Sequence, residues 1–414
     1  MQKKLLILGV DTSTRTALRI ARELGLYTII TDYNTPEEKP EKAQADEFWM
    51  INVADTEALY KKCLKEHVDG IFAGNHEFCL DQVKVLCKRL GLPFYASDEG
   101  WHCARDKVYF KELCAKCGLD TPKTYMTHGS LADIDISEIA FPVIVKPSDS
   151  CAGRGITICE SADQLPGAFE YALGASQNKQ IIIEEYVVGD ELTAEIMVVD
   201  HKPYMTGLCG TLPGKAFSLA GSRYHDDYVK HCMGGIEKLM QLLDWKTGPC
   251  FLQCIARDGR YYFMEFGGRL SGIGTWSYYE YFFHMSKLRM AVMLAMGMPV
   301  DANDAKRICS AVHNSLIYLP RLKAGKIAEI AGLDDIKGMP GVEVVLERYK
   351  IGDEPDTSGS MLEIAYYIAV AASDVDGLCD KLKTINDTLS VKSTDGREML
   401  IKNEDYEGIR RQYE

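Results

Sequence analysis

Residues 141–156 constrain the fold of this chain more than any other stretch, with the sequence Phe-Pro-Val-Ile-Val-Lys-Pro-Ser-Asp-Ser-Cys-Ala-Gly-Arg-Gly-Ile. The apolar run Val143–Val145 predicts a strand that ends at Lys146, and a loop of small residues leads to a second strand, Ile156–Cys159. The backbone N–H groups and the lysine of such a flap can close over the phosphates of a nucleotide. The flap is not a Walker A loop, because its lysine precedes its glycines.

The composition is that of an ordinary globular protein, and it excludes some functions. A chain of 414 residues is long enough for roughly two to four compact units. The formal net charge of −13 argues against a nucleic-acid binder that works by neutralising phosphates. No stretch approaches the length of a membrane span, and Leu5–Leu8 is too short for the core of a signal peptide. We therefore expect neither a nucleic-acid partner nor a membrane partner.

The 14 cysteines are scattered over apolar positions without the spacing of a disulfide framework. This distribution predicts reduced, buried thiols in a cytoplasmic protein. Cys114 and Cys117 form a C-x-x-C pair, but no second pair lies at zinc-ligand spacing. The segment has the pattern of a helix, so we expect these two thiols to serve packing.

The first hundred residues alternate between strand and helix patterns. Leu5–Leu8, Tyr27–Thr31 and Val68–Phe72 are continuous apolar runs, as in parallel strands buried on both faces. Glu77–Leu90 has the pattern of a helix that ends before Gly91. The order predicts an α/β half-sheet of Rossmann type.

A dinucleotide site at the end of the first strand is one interpretation of this region. Gly9 follows that strand, and Asp32 lies where an acidic residue would hold a ribose. The turn lacks the second and third glycines that let a pyrophosphate approach. The sequence therefore favours a scaffold without NAD.

A second motif is the run Ile181–Glu195, in which a strand ends at Glu184 and Glu185 and a Val-Val-Gly turn leads into the next strand. Adenine needs an acceptor and a backbone N–H, and a ribose needs a carboxylate. Glu184, the backbone near Val187, and Glu191 can supply these. The period of two places Glu191, Thr193 and Glu195 on one face of the second strand.

A third motif is the hairpin that turns at Asp258–Gly259. Gln253 and Glu265 offer the hard oxygens that Mg²⁺ prefers, provided that they share a face. We expect this arrangement only if the loop has an odd number of residues, because a two-residue turn would oppose Gln253 to Met264. Arg269 follows the second strand and is placed to hold a transferring phosphoryl group.

Lys107 begins a helix before the flap and is a candidate second cation beside Lys146. Further along, residues 205–228 are glycine-rich and predict an irregular substrate loop. Glu280–Gly297 predicts one helix, and short strands and turns after about residue 305 predict a smaller α+β unit.

The order of these motifs resembles the ATP-grasp superfamily, closest to the ligases similar to carbamoyl-phosphate synthase and L-amino-acid ligase. The resemblance covers roughly residues 1–300 and implies a Rossmann-like domain (1–103), an ATP-grasp domain (104–304) with its flap at about 122–187, and a C-terminal α+β domain (305–414). It also implies ATP with Mg²⁺, or Mn²⁺ in its place, as cofactors. The implied ATP-binding positions are Lys107, Lys146, Ser148, Gly153, Gly155, Glu184, Glu185, Val187 and Glu191.

The same resemblance implies roles for the remaining motif residues. Lys146 and Arg269 are the implied catalytic residues, and Gln253 and Glu265 are the implied metal ligands. The candidate substrate-binding positions are Glu77, Arg223, Arg269, Ser271 and Gly272. One departure stands out: the family usually has Glu-x-Asn-Pro-Arg, whereas this chain has Gly267 in place of the metal-binding Asn.

A ligase of this kind converts a carboxylate into an acyl phosphate, which an amine then attacks with release of phosphate. The second substrate is expected between Asn75–Glu77 and the 205–228 loop that carries Arg223, since α/β sheets bind ligands at the carboxyl ends of their strands. Two other functions use the same fold: a small-molecule kinase, and a non-catalytic ATP sensor that Gly267 makes conceivable. A homodimer is the commonest assembly for such a chain.

Overall fold

The computed structural model describes residues 2–413 apart from 128–129, 150–153, 211–216, 220–222, 273, 310–313, 356 and 358–362. The N-terminal part is a four-stranded parallel sheet with helices between its strands, in the order β3-β2-β1-β4. The predicted Rossmann-type half-sheet is confirmed. Its elements are β1 (Lys4–Leu8), α1 (Thr14–Glu23), β2 (Tyr27–Thr31), β3 (Glu47–Trp49), α2 (Thr56–Glu66), β4 (Gly70–Phe72), α3 (Glu77–Leu90) and α4 (Asp98–Cys103).

The next sheet contains the predicted flap. Its strands are antiparallel in the order β5-β8-β6-β7, and β6 pairs with β7 as the sequence predicts. Gly155 has φ +75°, and a Cβ there would lie 2.6 Å from the Cβ of Ala175, so only glycine fits. The elements are α5 (Lys107–Cys117), β5 (Thr124–Met126), β6 (Val143–Pro147), β7 (Thr157–Cys159), α6 (Leu165–Ala175) and β8 (Ile181–Glu185).

The third sheet contains the strand that follows the Val-Val-Gly turn, and it also contains the predicted hairpin. Its strands are antiparallel in the order β10-β9-β12-β13. The prediction of an irregular 205–228 loop is wrong at both ends: β10 runs to Gly210 and α7 starts at His225. The glycines of β10 are tolerated because β9 supplies the backbone hydrogen bonds, with a bulge between Met205 and Gly207. The elements are β9 (Asp190–Val199), β10 (Lys202–Gly210), β11 (Phe217–Leu219), α7 (His225–Leu242), β12 (Gly248–Arg257) and β13 (Arg260–Gly267).

The predicted single helix over Glu280–Gly297 is also wrong, because two helices occupy this region. His284 adopts a left-handed conformation with φ +53°, and the hydroxyl of Ser286 caps the second helix by accepting the N–H of Arg289. The helices are α8 (Trp276–Phe283), α9 (Lys287–Ala295) and α10 (Ala302–Cys309).

The C-terminal part has a smaller mixed architecture, as the short predicted strands indicate. Three of its strands join β11 in a sheet of order β11-β14-β18-β17, and two further strand pairs complete it. The elements are β14 (Ser315–Tyr318), β15 (Arg321–Leu322), β16 (Ile327–Ala331), α11 (Leu333–Lys337), β17 (Val342–Glu347), β18 (Tyr366–Ala371), α12 (Val375–Thr388), β19 (Ser390–Ser393), β20 (Leu400–Ile401) and α13 (Tyr406–Tyr413).

One apolar cluster joins distant parts of the chain. It contains Leu5 of β1, Ala17 of α1, Val292 of α9, Ile308 of α10 and Ile317 of β14, all of them buried. Packing of this kind fixes the N-terminal sheet against the later helices and the C-terminal sheet. It therefore fixes where the carboxyl ends of the parallel strands lie relative to β13.

The cysteines agree with the prediction of buried thiols. Every cysteine whose side chain the structure describes is free and buried. Cys114 and Cys117 lie in α5, where burial raises the pKa of both thiols. Helices that would suit a membrane span, by length and apolar character, are absent from the described part of the chain.

A buried ion pair joins β9 of the third sheet to α9. Glu195 of β9 contacts the ammonium group of Lys287, and both side chains are almost fully buried. The hydroxyl of Thr275 donates to the other carboxylate oxygen of Glu195 at 2.9 Å. Each charge is therefore compensated only by its neighbours, since water does not reach it.

We expect Lys287→Met to lower the free energy of unfolding by about 3–5 kcal/mol, because it leaves the Glu195 carboxylate buried without a cation. Urea unfolding followed by circular dichroism measures this loss. The control is Lys61→Met, since the pair of Lys61 with Glu57 is exposed and solvent screens it. Equal losses in the two variants would contradict the expectation, and the double variant Lys287→Met/Glu195→Gln should recover much of the loss.

Candidate active site

Two lysines bind one buried carboxylate at the base of the flap. Glu184 lies on β8, and its two oxygens contact the ammonium groups of Lys146 on β6 and Lys111 on α5. The hydroxyl of Thr124 accepts from Lys111 at 2.7 Å. Burial raises the pKa of Glu184, but the two ammonium groups outweigh burial and hold it below its usual value. The cluster carries a net positive charge, which suits an anionic ligand.

The sequence indicated Lys107 as the second cation, and Lys111 was missed. Lys107 is the first residue of α5, after the N-cap Asp106, and Lys111 lies one turn later on the same side of the helix. The structure places Lys111 directly beside Lys146 through their shared partner. The spacing of four residues between the two lysines was the signal that could have found Lys111.

The flap residues after Lys146 are held by the loop that precedes β8. Ser148 is fully buried, and its hydroxyl lies 3.2 Å from the side-chain oxygen of Asn178. Asp149 accepts the N–H groups of Gln177 and Asn178 at 2.9 and 2.7 Å. In this structure the Ser148 hydroxyl is thus engaged within the flap, and the predicted Gly153 lies outside the described residues.

The turn between the flap and β9 lies against the hairpin. Glu185 forms an ion pair with Arg257 at 3.0 Å, and Val187 packs in an apolar cluster with Ile255 and Tyr262. Glu191 is exposed at the start of β9. Buried apolar side chains therefore hold the turn in place, and the carboxylate of Glu185 lies nearby.

The hairpin brings Gln253 and Glu265 together by a different route from the one predicted. Arg257 pairs with Arg260, so the loop contains only Asp258 and Gly259, both with positive φ. The predicted requirement for an odd loop is wrong, because the two residues meet across a two-residue loop. A β-bulge next to Gln253 inserts Met264 as an extra residue and shifts the register by one, so that Gln253 lies directly opposite Glu265.

The face that these two residues share is polar, and its reverse is apolar. Gln253 also lies opposite Thr193, which shares its face with Glu191 and Glu195 as predicted. The reverse face packs into an apolar cluster with α5 and α7 through Leu192, Ala194 and other side chains. Among the described residues, no group of three or more His, Cys, Asp or Glu could hold a metal ion. The amide oxygen of Gln253 and the carboxylate of Glu265 fit Mg²⁺ as a two-ligand site completed by phosphate oxygens and water.

Gly267 replaces the asparagine of the family motif, and Phe251 occupies the space that a side chain would need. The two residues lie opposite each other in the ladder, and a Cβ on Gly267 would lie 2.1 Å from Cζ of Phe251. A side-chain amide at this position would therefore require the ring to move. The hairpin therefore offers the side-chain oxygens of Gln253 and Glu265 and no side-chain oxygen at position 267.

Arg269 joins the end of β13 to the parallel sheet. Its Nη2 donates to Oε1 of Glu77 at 3.0 Å, and its Nη1 donates to the carbonyl of Leu270 at 2.9 Å. Arg105 contacts the other oxygen of Glu77. Burial raises the pKa of Glu77, but the guanidinium groups of Arg269 and Arg105 outweigh it, so this pKa lies below its usual value.

The other predicted substrate residues have different surroundings. Ser271 is buried, and its hydroxyl lies 3.1 Å from that of Thr275, which bonds Glu195. Gly272 lies beside the side-chain amide of Asn75. Arg223 is bound to Asp190 at 3.1 Å at the start of β9, and none of the described contacts joins it to Glu77. The structure therefore brings Glu77, Asn75, Gly272 and Arg269 together, without Arg223.

The chain is similar in sequence to several known proteins. Residues 121–233 match the family model of the D-ala D-ala ligase C-terminus. The chain is 26% identical over 312 residues to the carbamoyl phosphate synthase large chain of Methanosphaerula palustris, covering 70% of this chain and 29% of that one. It is 24% identical over 415 residues to the formate-dependent phosphoribosylglycinamide formyltransferase of Bacteroides thetaiotaomicron, covering 94% of this chain and 100% of that one.

Solved structures show the same fold. The biotin carboxylase domain of the Hydrogenobacter thermophilus 2-oxoglutarate carboxylase, a dimer in complex with MgADP and bicarbonate, superposes with a TM-score of 0.80 at 18% identity, covering 100% of this chain and 96% of that one. The L-amino acid ligase from Bacillus licheniformis gives a TM-score of 0.75 at 16% identity, covering 95% and 99%. The predicted ATP-grasp fold is confirmed, and so is the predicted relationship to the ATP-grasp ligases.

The ion pairs of Glu77 make stability depend on pH. Because its pKa is lowered in the folded state, the pairs contribute fully above the ordinary glutamate pKa of about 4.3 and are lost as the pH falls through the folded value. We expect Glu77→Gln to lower the free energy of unfolding by about 1.5–3 kcal/mol at pH 7, and by progressively less below pH 5. Urea unfolding between pH 3 and 7 measures the difference.

The matched control is Asp98→Asn, whose carboxylate pairs with Lys84 at an exposed site. Its effect should be smaller at every pH, since solvent screens exposed pairs. A Glu77→Gln difference that stays constant from pH 7 to pH 3 would show that the two arginines do not act on Glu77 as the structure indicates.

Proposed function

We propose that this protein is an ATP-dependent ligase that activates a small, amino-acid-like carboxylate as an acyl phosphate and joins it to an amine or a thiol, releasing ADP and phosphate. The observation that carries the proposal is the contact between Arg269 and Glu77. It brings the end of the hairpin that carries Glu265 to the carboxyl edge of the parallel sheet, where α/β folds bind small ligands. A phosphoryl-transfer site and a substrate site therefore meet at one arginine.

In the proposed complex, ATP lies between the flap sheet and the polar face of the third sheet. Lys107, Lys146 and Lys111 face its phosphates, and Gly155 with the rest of the flap loop covers them. The apolar turn at Val187 receives the adenine. Glu184 is engaged by two lysines, so its carboxylate positions them and the adenine contacts come from the neighbouring backbone. Glu191 takes the ribose, and Glu185 supports the turn through Arg257.

The metal site in this proposal consists of Gln253 and Glu265. Mg²⁺ bound there supplies charge neutralisation to the phosphate oxygens. One neutral and one anionic ligand would leave a net positive charge on the bound metal, which favours binding together with the nucleotide. Mn²⁺, which also prefers oxygen ligands, is the proposed substitute.

The protein's own groups then act mainly by position and charge, because phosphoryl transfer needs little covalent help. Lys146 and Lys111 stabilise the charge that develops on the transferred group. Arg269 holds the substrate carboxylate and later the tetrahedral species formed by the attacking amine. Closure of the flap excludes the water that would hydrolyse the acyl phosphate.

Glu77 is proposed to bind the amine substrate. Its carboxylate lies beside Arg269 and is ionised at neutral pH because two guanidinium groups lower its pKa. Asn75 and Gly272 border the same place, since a Cβ on Gly272 would lie 4.0 Å from the amide nitrogen of Asn75. The hydroxyl of Ser271 forms a hydrogen bond with that of Thr275, and this contact holds the segment in place.

The proposal predicts that Lys111→Met weakens the binding of MgATP about 10- to 100-fold, because it removes one of the two cations on Glu184. Isothermal titration calorimetry with a non-hydrolysable ATP analogue measures the affinity. Lys116→Met is the control, since Lys116 lies exposed in the same helix. Unchanged affinity in a folded Lys111→Met variant would remove Lys111 from the site.

The experiment that tests the function is a screen of amino acids and small carboxylates, singly and in pairs, for release of ADP from ATP. We expect release only when a carboxylate and an amine or thiol are both present. A stable phosphorylated product from one substrate would indicate a kinase, and ATP binding without turnover would indicate a sensor. For an active pair, Glu77→Ala should raise the KM of the amine about tenfold or more; an unchanged KM would exclude Glu77 from the amine site.

A further inference from the structure

Phe251 is a buried aromatic residue on the polar face of the third sheet. Its side chain is 4% exposed, yet it belongs to none of the apolar clusters formed by the described residues. Phe266, on the reverse face of the neighbouring strand, is part of the large cluster beneath the sheet. The contacts that bury the ring of Phe251 therefore lie outside these clusters.

The ring fills the space above Gly267. A Cβ on Gly267 would lie 2.1, 2.2 and 2.7 Å from three carbons of the ring, closer than real side chains approach. Gly267 has no positive φ that would call for glycine. The absence of a side chain at position 267 is thus explained by the ring and not by the backbone.

The same ring lies beneath the guanidinium group of Arg269. The guanidinium carbon is 5.2 Å from the ring centroid, within the range of a cation–π interaction. Glu77 binds the edge of the guanidinium group at 3.0 Å, and the carbonyl of Leu270 binds its Nη1 at 2.9 Å. The ring supports the face of the group, while the carboxylate and the carbonyl fix its direction.

We infer that Phe251 is a positioning residue for Arg269, and that glycine stands at position 267 because only glycine admits the ring. The inference rests on the proposed function, which assigns Arg269 to the reacting carboxylate and phosphoryl group. In this chain Gly267 has no side chain that could bind a metal. The ring of Phe251 instead supports the guanidinium group of Arg269. Phe251 itself does not touch the reacting atoms.

The first test needs no substrate. Phe251→Leu keeps an apolar side chain but removes the aromatic face, so Arg269 becomes less well held against Glu77. The Glu77-dependent stability is the free energy of unfolding of a variant minus that of the same variant with Glu77→Gln. We expect the pH at which this difference has fallen to half, the Glu77 midpoint, to rise by a few tenths of a pH unit. Gly267→Ala should shift it in the same direction, because the new Cβ displaces the ring.

The controls separate positioning from a general loss of packing. Phe266→Leu removes a buried ring of the same size from the reverse face, and Gly235→Ala places a Cβ 2.6 Å from Leu119 in another part of the molecule. Both should lower overall stability and leave the Glu77 midpoint unchanged. An unchanged midpoint in both Phe251→Leu and Gly267→Ala, or an equal shift in Phe266→Leu, overturns the inference.

The second test uses inorganic phosphate as the probe in the presence of MgADP. We expect Phe251→Leu to weaken phosphate binding about 2- to 5-fold while the affinity for MgADP itself stays unchanged, and Phe266→Leu to change neither. Equal weakening of phosphate and MgADP binding contradicts a role through Arg269. If the unmodified protein binds no MgADP, the proposed function fails, whereas the Glu77 midpoint still decides whether Phe251 positions Arg269.

Discussion

The ion pair between Arg269 and Glu77 is the contact on which the arrangement of the candidate site depends. Arg269 follows the hairpin that carries the proposed metal ligands, and Glu77 starts the helix after the fourth parallel strand. The shared apolar cluster of β1, α1, α9, α10 and β14 holds these two parts of the chain in place. A partly buried pair of opposite charges is sensitive to small displacements, so the packing beneath it determines whether the two halves of the site meet.

A second buried cluster organises the opposite side of the site. Glu184 lies between Lys111 and Lys146, and none of these three side chains has appreciable contact with water. Burial lowers the pKa of Lys111, and the shared carboxylate of Glu184 acts against this effect. The protein therefore presents fixed positive charge beneath the flap before any nucleotide binds, which lowers the reorganisation that binding requires.

The hairpin shows how two local features combine into one site. The two-residue turn at Asp258–Gly259 matches the twist of its strands, but alone it would place Gln253 and Glu265 out of register. The bulge at Met264 restores the register, and Phe251 beside it takes the space above Gly267. The bulge and the contact of Phe251 with Gly267 are thus two neighbouring features of one hairpin.

The sequence alone determined the elements that depend on neighbouring residues: the parallel strands, the flap around Lys146, and the polar and apolar faces of β9, because strand and helix periods are local properties. The order of the motifs also carried the resemblance to the ATP-grasp superfamily, whose fold the structure has. The tertiary structure decided what depends on contacts between distant segments. These are the role of Lys111, which only its distance to Glu184 reveals, the partner of Arg223, the regularity of β10 beside β9, and the bulge that pairs Gln253 with Glu265. A strand's partners and a buried charge's counterion are chosen by the whole fold, and a single stretch of sequence does not contain them.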